Sequence, residues 1–359
     1  MRLLSGNNKL LVGLDIGSSS VKVCELNSLG NRNGARYRLR KLGIVHLPHN
    51  SIVDGDIIDS EAVVAAIREA LAEQKIKSKD VAISLCGQQV MIKKMTFQTM
   101  SQPELAESVR WEAEGFFPTG QSIDNYVLDF AVLEESKPDG NMDIILVACR
   151  KDKFESYTNC AIKAGLKPAQ IGVDVFALQS VYEANIEPSE YDEVVAIVNI
   201  GASFTNLCML IGKKSVFWSD ISFGGNRYTE KVIHDWSVTR DGAESLKHGI
   251  PAENREPTEV EPSLAAVSDS FADELSRSID FFRTSFNMDQ LDRIVLSGGG
   301  AKISNLAGIL RDRFRIKVEF LNPFNLIEVD ERAVVHGKAD DIGCAASVVV
   351  GLALRERGD

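Results

Sequence analysis

The chain has 359 residues, 44% hydrophobic and 25% charged, with a net charge of −11 at pH 7. That length supports two lobes with cores of their own, and the composition is that of a soluble globular protein without a disordered tract. The acidic balance argues against general nucleic-acid binding, which needs a basic stripe to neutralise phosphates.

The first residues, Met1 to Lys9, are polar and lack an apolar signal core, and no apolar run approaches the roughly 20 residues that span a bilayer. A cytoplasmic protein is expected, with no membrane insertion of its own. Val12 to Leu26 follows, VGLDIGSSSVKVCEL: two apolar alternating runs joined by a small-residue turn, a β-hairpin pattern. Strands are predicted at 36–46, 80–85, 90–97, 126–133 and 143–149, and helices at 60–74, 102–115, 151–165 and 174–185. Gly165 reads as a C-cap. Phe116-Phe117-Pro118 closes the second helix and reads as core, with an exposed peptide anchor as the other option.

A second hairpin, Ala196 to Leu210 (AIVNIGASFTNLCML), aligns with the first without a gap at an offset of 184 residues, Asp15 falling on Asn199. Ile16/Ile200, Gly17/Gly201, Ser19/Ser203, Cys24/Cys208 and Leu26/Leu210 are identical. Two such hairpins half a chain apart predict two lobes built on one core unit, with chance similarity of two short motifs as the other reading, and the spacing is far too long for a solenoid. Beyond them strands are predicted at 193–199, 205–211, 215–220 and 292–297, and helices at 225–236, 263–288, 303–313 and 341–355. In 263–288, Leu264, Val267, Phe271, Leu275, Phe282 and Phe286 recur at helical spacing. Pro251, Pro257 and Pro262 are read as a loop before it. The mixture predicts an α/β fold.

Three segments carry candidate chemistry. In Asp15 to Lys22, Gly17 permits a tight turn, and the small Ser18, Ser19 and Ser20 leave backbone N–H groups open to an anion. Asp15 can hold a water of a bound Mg²⁺, and Lys22 can reach a phosphate as a point charge. A plain Gly-Ser turn is an equal reading, and no Walker loop is present. The second hairpin repeats the turn with Gly201, Ala202, Ser203, Phe204 and Thr205. The third segment runs from a strand into Gly298, Gly299, Gly300 and then Lys302, where glycines admit a flat ring or phosphate, or simply tight packing. The six cysteines, Cys24, Cys86, Cys149, Cys160, Cys208 and Cys344, are scattered without metal-ligand spacing and read as small buried hydrophobes. His234 and His248 have no partners at ligand spacing.

In order and spacing the three segments resemble the actin-like ATPase superfamily, and the opening LLVGLDIGSSSVKVCEL resembles the PilM family of type IV pilus assembly proteins. The likeness runs through nearly the whole chain. Phe223-Gly224-Gly225-Asn226 resembles the turn after the second hairpin in that family and in FtsA. Glu274 to Phe282, with Arg277, resembles the family helix that approaches adenine, while Ile171 to Glu183 and the stretch from Asp341 resemble two crossing helices. The resemblance implies an actin-like fold of two lobes with duplicated ribonuclease H-like sheets. The first lobe would be 1–185 plus 338–359, with a small α/β insert at 93–168, and the second 186–337. It also implies ATP and Mg²⁺ in the cleft, with Asp15 and Asn199 holding the metal through water and Gly225, Glu274 and Arg277 among the nucleotide contacts. Asp174 sits where the superfamily places a water-orienting group, and it also reads as an N-cap.

One departure matters: the second hairpin opens with Asn199 where the superfamily has Asp. An amide orients a water but supplies no negative charge, so ATP binding with slow or absent hydrolysis is expected. The resemblance implies a scaffold at the inner membrane that binds the cytoplasmic tail of PilN and links the inner-membrane alignment complex to the pilus motor ATPases, for pilus biogenesis and twitching motility. A homo-oligomer stays open. An FtsA-like filament protein is the alternative reading. A sugar or acetate kinase is a third, for which no catalytic Asp is found.

Overall fold

The computed structural model describes residues 10–32, 35–117, 122–134, 140–185, 193–330, 332–334 and 339–356. The polar segment 1–9 and Pro118 lie outside the described residues. The chain divides into two compact units, Leu85–Asn159 and the remainder.

Among the described residues the larger unit holds two large sheets and a two-stranded ribbon. In the first, β1 (Val12–Ile16), β2 (Ser20–Arg32) and β3 (Ala35–His46) form an antiparallel meander. After the small hairpin β4 (Ile52–Val53) and β5 (Asp56–Ile57) and helix α1 (Ser60–Glu73), strand β6 (Asp80–Leu85) returns parallel to β1. The Asp59 carboxylate caps α1 by accepting from the N–H groups of Glu61 and Ala62.

The smaller unit is a three-stranded antiparallel sheet of β7 (Val90–Gln98), β8 (Tyr126–Glu134) and β9 (Asn141–Arg150) in the order β7-β9-β8. Helix α2 (Gln102–Glu114) turns Leu105, Val109 and Ala113 into the core against Ile144 and Leu146. Phe116 and Phe117 pack against that core.

Helix α3 (Lys151–Lys163) leads to β10 (Lys167–Val173) and helix α4 (Asp174–Asn185). The second sheet then opens with its own meander, β11 (Val194–Ile200), β12 (Thr205–Ile211) and β13 (Lys214–Ile221). Helices α5 (Gly225–Trp236), α6 (Arg240–Lys247) and α7 (Pro257–Phe286) follow, then β14 (Arg293–Ser297) parallel to β11. Last come α8 (Leu306–Phe314), β15 (Lys317–Phe320), β16 (Ile327–Val329) and α9 (Ala339–Ala353).

Five strands of the first sheet match the second in order, and β16, on the outer edge of β3, has no counterpart. The first has the order β10-β6-β1-β2-β3-β16 and the second β13-β12-β11-β14-β15. Each is a three-stranded meander whose first strand takes a parallel neighbour on its free side. The hairpin repeat in the sequence is thus the visible part of a duplicated five-strand unit, the actin-like architecture expected.

Three expectations are corrected. Pro257 and Pro262 belong to α7: Pro257 occupies the first turn, where its missing N–H costs nothing. Helix α6 lies where the sequence suggested only a connection. The Gly298–Gly300 loop enters a 3₁₀ turn at Gly299–Lys302 before α8 starts at Leu306.

Helices α4 and α9 pack against each other so closely that a Cβ on Gly351 would sit 2.0 Å from the Ala177 carbonyl oxygen. Along β11, Val194, Ala196, Val198 and Ile200 face the main core with Phe223, Phe271 and Phe282. Asn199 therefore points to the opposite face, where Trp218 of β13 meets Phe176 of α4 at 5.9 Å. In the first sheet Gly13, and with it Asp15, faces α9. Both polar strand ends look into the layer of crossing helices.

Candidate nucleotide site

At the first hairpin the Gly17 N–H donates to the Ser20 carbonyl at 3.0 Å and closes the turn. Among the described residues the N–H groups of Ser18 and Ser19 carry no hydrogen bond, which leaves them open to an anion. Asp15 and Lys22 are register partners on β1 and β2, and the ammonium donates to the carboxylate at 2.9 Å, with the side chains 12% and 13% exposed. A Cβ on Gly17 would lie 3.7 Å from Lys22 Nζ, so the charge sits beside the turn.

At the second hairpin the Gly201 N–H closes the same turn onto the Phe204 carbonyl at 2.9 Å, and those of Ala202 and Ser203 are likewise open. The position of the ion pair is taken by two amides: Asn199 Nδ2 donates to Asn206 Oδ1 at 2.9 Å, and Asn206 Nδ2 donates to Asp220 Oδ1 at 2.7 Å. The Thr205 hydroxyl donates to the Phe223 carbonyl at 2.7 Å. That bond tethers the hairpin to the Gly224-Gly225 turn, whose Gly225 and Asn226 N–H groups donate to the carbonyls of Gly201 and Ala202 at 2.9 and 2.8 Å. Helix α5 has no capping side chain at Gly224, and the hairpin carbonyls satisfy its first N–H groups instead.

Gly298 adopts φ +85°, and a Cβ there would meet the Ile200 carbonyl oxygen at 2.3 Å, so the third loop lies directly on the second hairpin. The Gly298 N–H donates to the Cys344 carbonyl at 2.9 Å, and Lys302 Nζ donates to the Asp341 carbonyl at 2.8 Å. Between them opens a pocket of about 270 Å³ lined by His248, Gly298, Gly299, Lys302, Asp341, Cys344 and Ala345. Gly299 is exposed there, with nothing within 4 Å of the place a Cβ would occupy. Gly300 is buried under Ile200.

Asp174, the first residue of α4, is buried and accepts from the Ser84 hydroxyl at 2.5 Å. Ser84 lies at the end of β6, beside β1, which brings Asp174 toward the Asp15 end of the sheet. Glu274 and Arg277 pair with each other one turn apart on the exposed face of α7, and that pairing holds the Glu274 carboxyl below its ordinary value. They are not among the residues lining the 270 Å³ pocket.

Lys247 and Glu244 escaped the sequence reading. Lys247, 5% exposed, donates to Thr229 Oγ1 at 2.9 Å and pairs with Glu244 at 2.6 Å, and it lies 3.4 Å from the Gly225 carbonyl. Burial pushes the Lys247 pKa down, opposed by the Glu244 carboxylate. Burial alone would raise Glu244, but the Lys247 charge and hydrogen bonds from Lys247 and Thr229 outweigh it and hold the carboxyl low. The available signal was an i, i+3 Glu–Lys pair on a short stretch between two predicted helices.

The donor set suits a polyphosphate: two turns with open N–H groups, an ammonium beside each, and an oxygen-bearing side chain at each strand end. Comparison with known proteins decides the family. The family described as type IV pilus assembly protein PilM matches residues 13–357. The chain belongs to the PilM family.

A solved structure, the PilM–PilN type IV pilus biogenesis complex, superposes with a TM-score of 0.83 at 26% identity over 97% of this chain and 98% of that one. The cell division protein FtsA of Streptococcus pneumoniae is 23% identical over 90% of this chain and 78% of its own length. MreB5 of Spiroplasma citri, solved with ADP bound, has a TM-score of 0.52 at 14% identity over 96% and 95% of the two chains, which supports the actin-like fold of this family member.

Proposed function

We propose that this chain is an ATP-binding scaffold of the type IV pilus machine whose nucleotide turns over slowly or not at all. It takes ATP with Mg²⁺ between two lobes, 1–185 with 338–359 and 186–337. The turns at Gly17–Ser20 and Gly201–Thr205, with Gly225, hold the phosphates, Lys22 and Lys247 offset their charge, and Gly298, Gly299 and Lys302 flank the nucleoside. Glu274 and Arg277 remain proposed contacts at the adenine end. Asp15 and Asn199 hold the metal through its waters, as suits an ion that keeps most of its hydration shell. Bound there, Mg²⁺ would neutralise phosphate charge. Asp174, anchored by Ser84, is the residue that would orient a water.

The observation that carries the reading is Asn199. It occupies the position Asp15 holds in the first hairpin, with an amide in place of a carboxylate. An amide accepts a hydrogen bond from a metal-bound water but contributes no charge to the metal or to an attacking water, and phosphoryl transfer rests on such electrostatics.

The solved family relative is a complex with PilN. By that likeness this chain binds the cytoplasmic N-terminal tail of the inner-membrane protein PilN and sits in the cytoplasm, peripheral to that membrane, serving assembly motors, pilus biogenesis and twitching. No helix among the described residues is long and apolar enough to cross a membrane. A homo-oligomer is compatible with this role.

The test is phosphate release from Mg²⁺-ATP alongside nucleotide retention, with and without a PilN tail peptide. Retained ATP without release is expected, and Asn199→Asp should raise release by an order of magnitude or more. Steady turnover by the wild type would overturn the reading. Sedimenting filaments that ignore the peptide would favour the FtsA-like alternative.

A further inference from the structure

Three side chains stand in a row across the second sheet. Asn199 on β11 is the direct partner of Asn206 on β12, which is the direct partner of Asp220 on β13. The hydrogen bonds run one way along the row, Asn199 Nδ2 to Asn206 Oδ1 and Asn206 Nδ2 to Asp220 Oδ1. Asn199 and Asn206 are buried, 7% and 3% exposed.

A carboxylate only accepts. Asp220 therefore requires the NH₂ end of Asn206, which turns the Asn206 carbonyl oxygen to Asn199. That oxygen in turn requires the NH₂ end of Asn199, so Asn199 Oδ1 is left for whatever lies beyond the hairpin. Among the described residues nothing donates to it. The two ends of an amide are nearly the same size, so without an acid at the end of the row the chain of bonds runs equally well in either direction.

The first hairpin has no such device. There Asp15 pairs with Lys22, and the partner of Lys22 on β3 is Ile44. A carboxylate offers an acceptor however it is turned. An amide does not, and the acid stands behind the hairpin that carries the amide.

We propose that Asp220 is a positioning residue that acts through Asn206 to fix the Asn199 amide with its oxygen, not its NH₂, toward the bound ligand. Asn199 then presents an acceptor to a hydrated divalent cation, matching Asp15 in polarity though not in charge. This rests on the Mg²⁺–nucleotide reading of the site, and the experiment separates the two.

Asp220→Asn leaves the row hydrogen-bonded but lets it reverse. Adding Asn206→Asp restores one direction, because the carboxylate now in the middle of the row accepts from the amide on either side of it. In nucleotide-free protein, NMR of the Asn199 side-chain NH₂ should show one exchange-protected pair in the wild type. Protection should fall in Asp220→Asn and return in the double variant. The ratio of ATP affinities with and without Mg²⁺ should drop on the order of fivefold in Asp220→Asn, the worth of one net hydrogen bond, and recover in the double variant. Asp220→Glu keeps the acceptor and should behave as wild type. An Asp220→Asn protein with unchanged NH₂ signals, or a double variant that stays like the single one, would overturn the relay. If the wild type binds no ATP, the nucleotide reading falls while the NH₂ spectra still decide the relay.

Discussion

The two hairpins are the same object with different contents. At the same register, the first sets the carboxylate of Asp15 against the ammonium of Lys22, and the second sets the amide of Asn199 against the amide of Asn206. Their surroundings differ too. The second turn is roofed by Gly298 on one side and Gly224 on the other, whereas a Cβ on Gly17 would find its nearest atom, the Ser20 carbonyl oxygen, at 3.3 Å. At the facing positions the first hairpin pairs charges under an open turn, and the second pairs amides under a packed one. The backbone is the same in the two hairpins, and what each offers a ligand differs.

The packing difference gives the largest expected effect. In Gly298→Ala the new Cβ lands 2.3 Å from the Ile200 carbonyl oxygen at φ +85°, and in Gly224→Ala it lands 2.4 Å from that of Ala202. Neither carbonyl moves without disturbing the turn, so each variant should lose more than about 3 kcal/mol, at the severe end for single substitutions. Gly17→Ala should stay within about 1 kcal/mol. Urea midpoints of the three variants check this, and an intolerant Gly17 beside a tolerant Gly298 would break the comparison.

The charge difference comes next. Asp15→Ala leaves the Lys22 ammonium unpaired at a site only 13% exposed, a loss of about 3 kcal/mol. Asn199→Ala removes a neutral bond and should cost about 1 kcal/mol. Asp15→Ala with Lys22→Met should recover most of the first loss, and a double-mutant cycle measures the coupling.

Each hairpin also has an ammonium nearby, and in the second it is Lys247 with Glu244. Glu244→Gln should cost about 1.5 kcal/mol at pH 7. The sign with pH follows from the lowered Glu244 pKa. The unfolded chain holds that proton more tightly, so the contribution is complete above the ordinary carboxylate value and is lost as pH falls through the depressed one. The variant's stability curve should be the flatter of the two in that acid range.

Much of this comparison was legible in the sequence. Both turns announce themselves by Gly and Ser between alternating apolar runs, and a gapless offset ties Asp15 to Asn199 by sequence alone. What escaped was carried by weak local signals. Strands β15 and β16, four and three residues long, are too short for a period to register. Helix α6 spans eight residues with Gly242 inside it, and tertiary packing of Ala243 and Leu246 decides it. Asn206 and Asp220 stand at the ends of apolar strand runs with no motif around them. Their alignment with Asn199 depends on the register of three strands, which sequence spacing alone does not reveal.

The smallest expected effect tests the tether between the second hairpin and the following helix. Thr205 occupies the position that Val21 holds in the first hairpin, each facing the last residue of the preceding strand. Both are fully buried, but only Thr205 has a hydroxyl, which donates to the Phe223 carbonyl just before the Gly224-Gly225 turn. Thr205→Val makes the second hairpin copy the first at this point with almost no change of shape. It leaves a buried carbonyl without that donor, so about 1 kcal/mol should be lost. The reverse change, Val21→Thr, buries a hydroxyl where no tether exists and should cost at least as much. If Thr205→Val were neutral and nucleotide binding unchanged, the hairpin and turn would be held by the Gly225 and Asn226 backbone bonds alone. The hydroxyl would then be a filler of space rather than a link between the hairpin turn and α5.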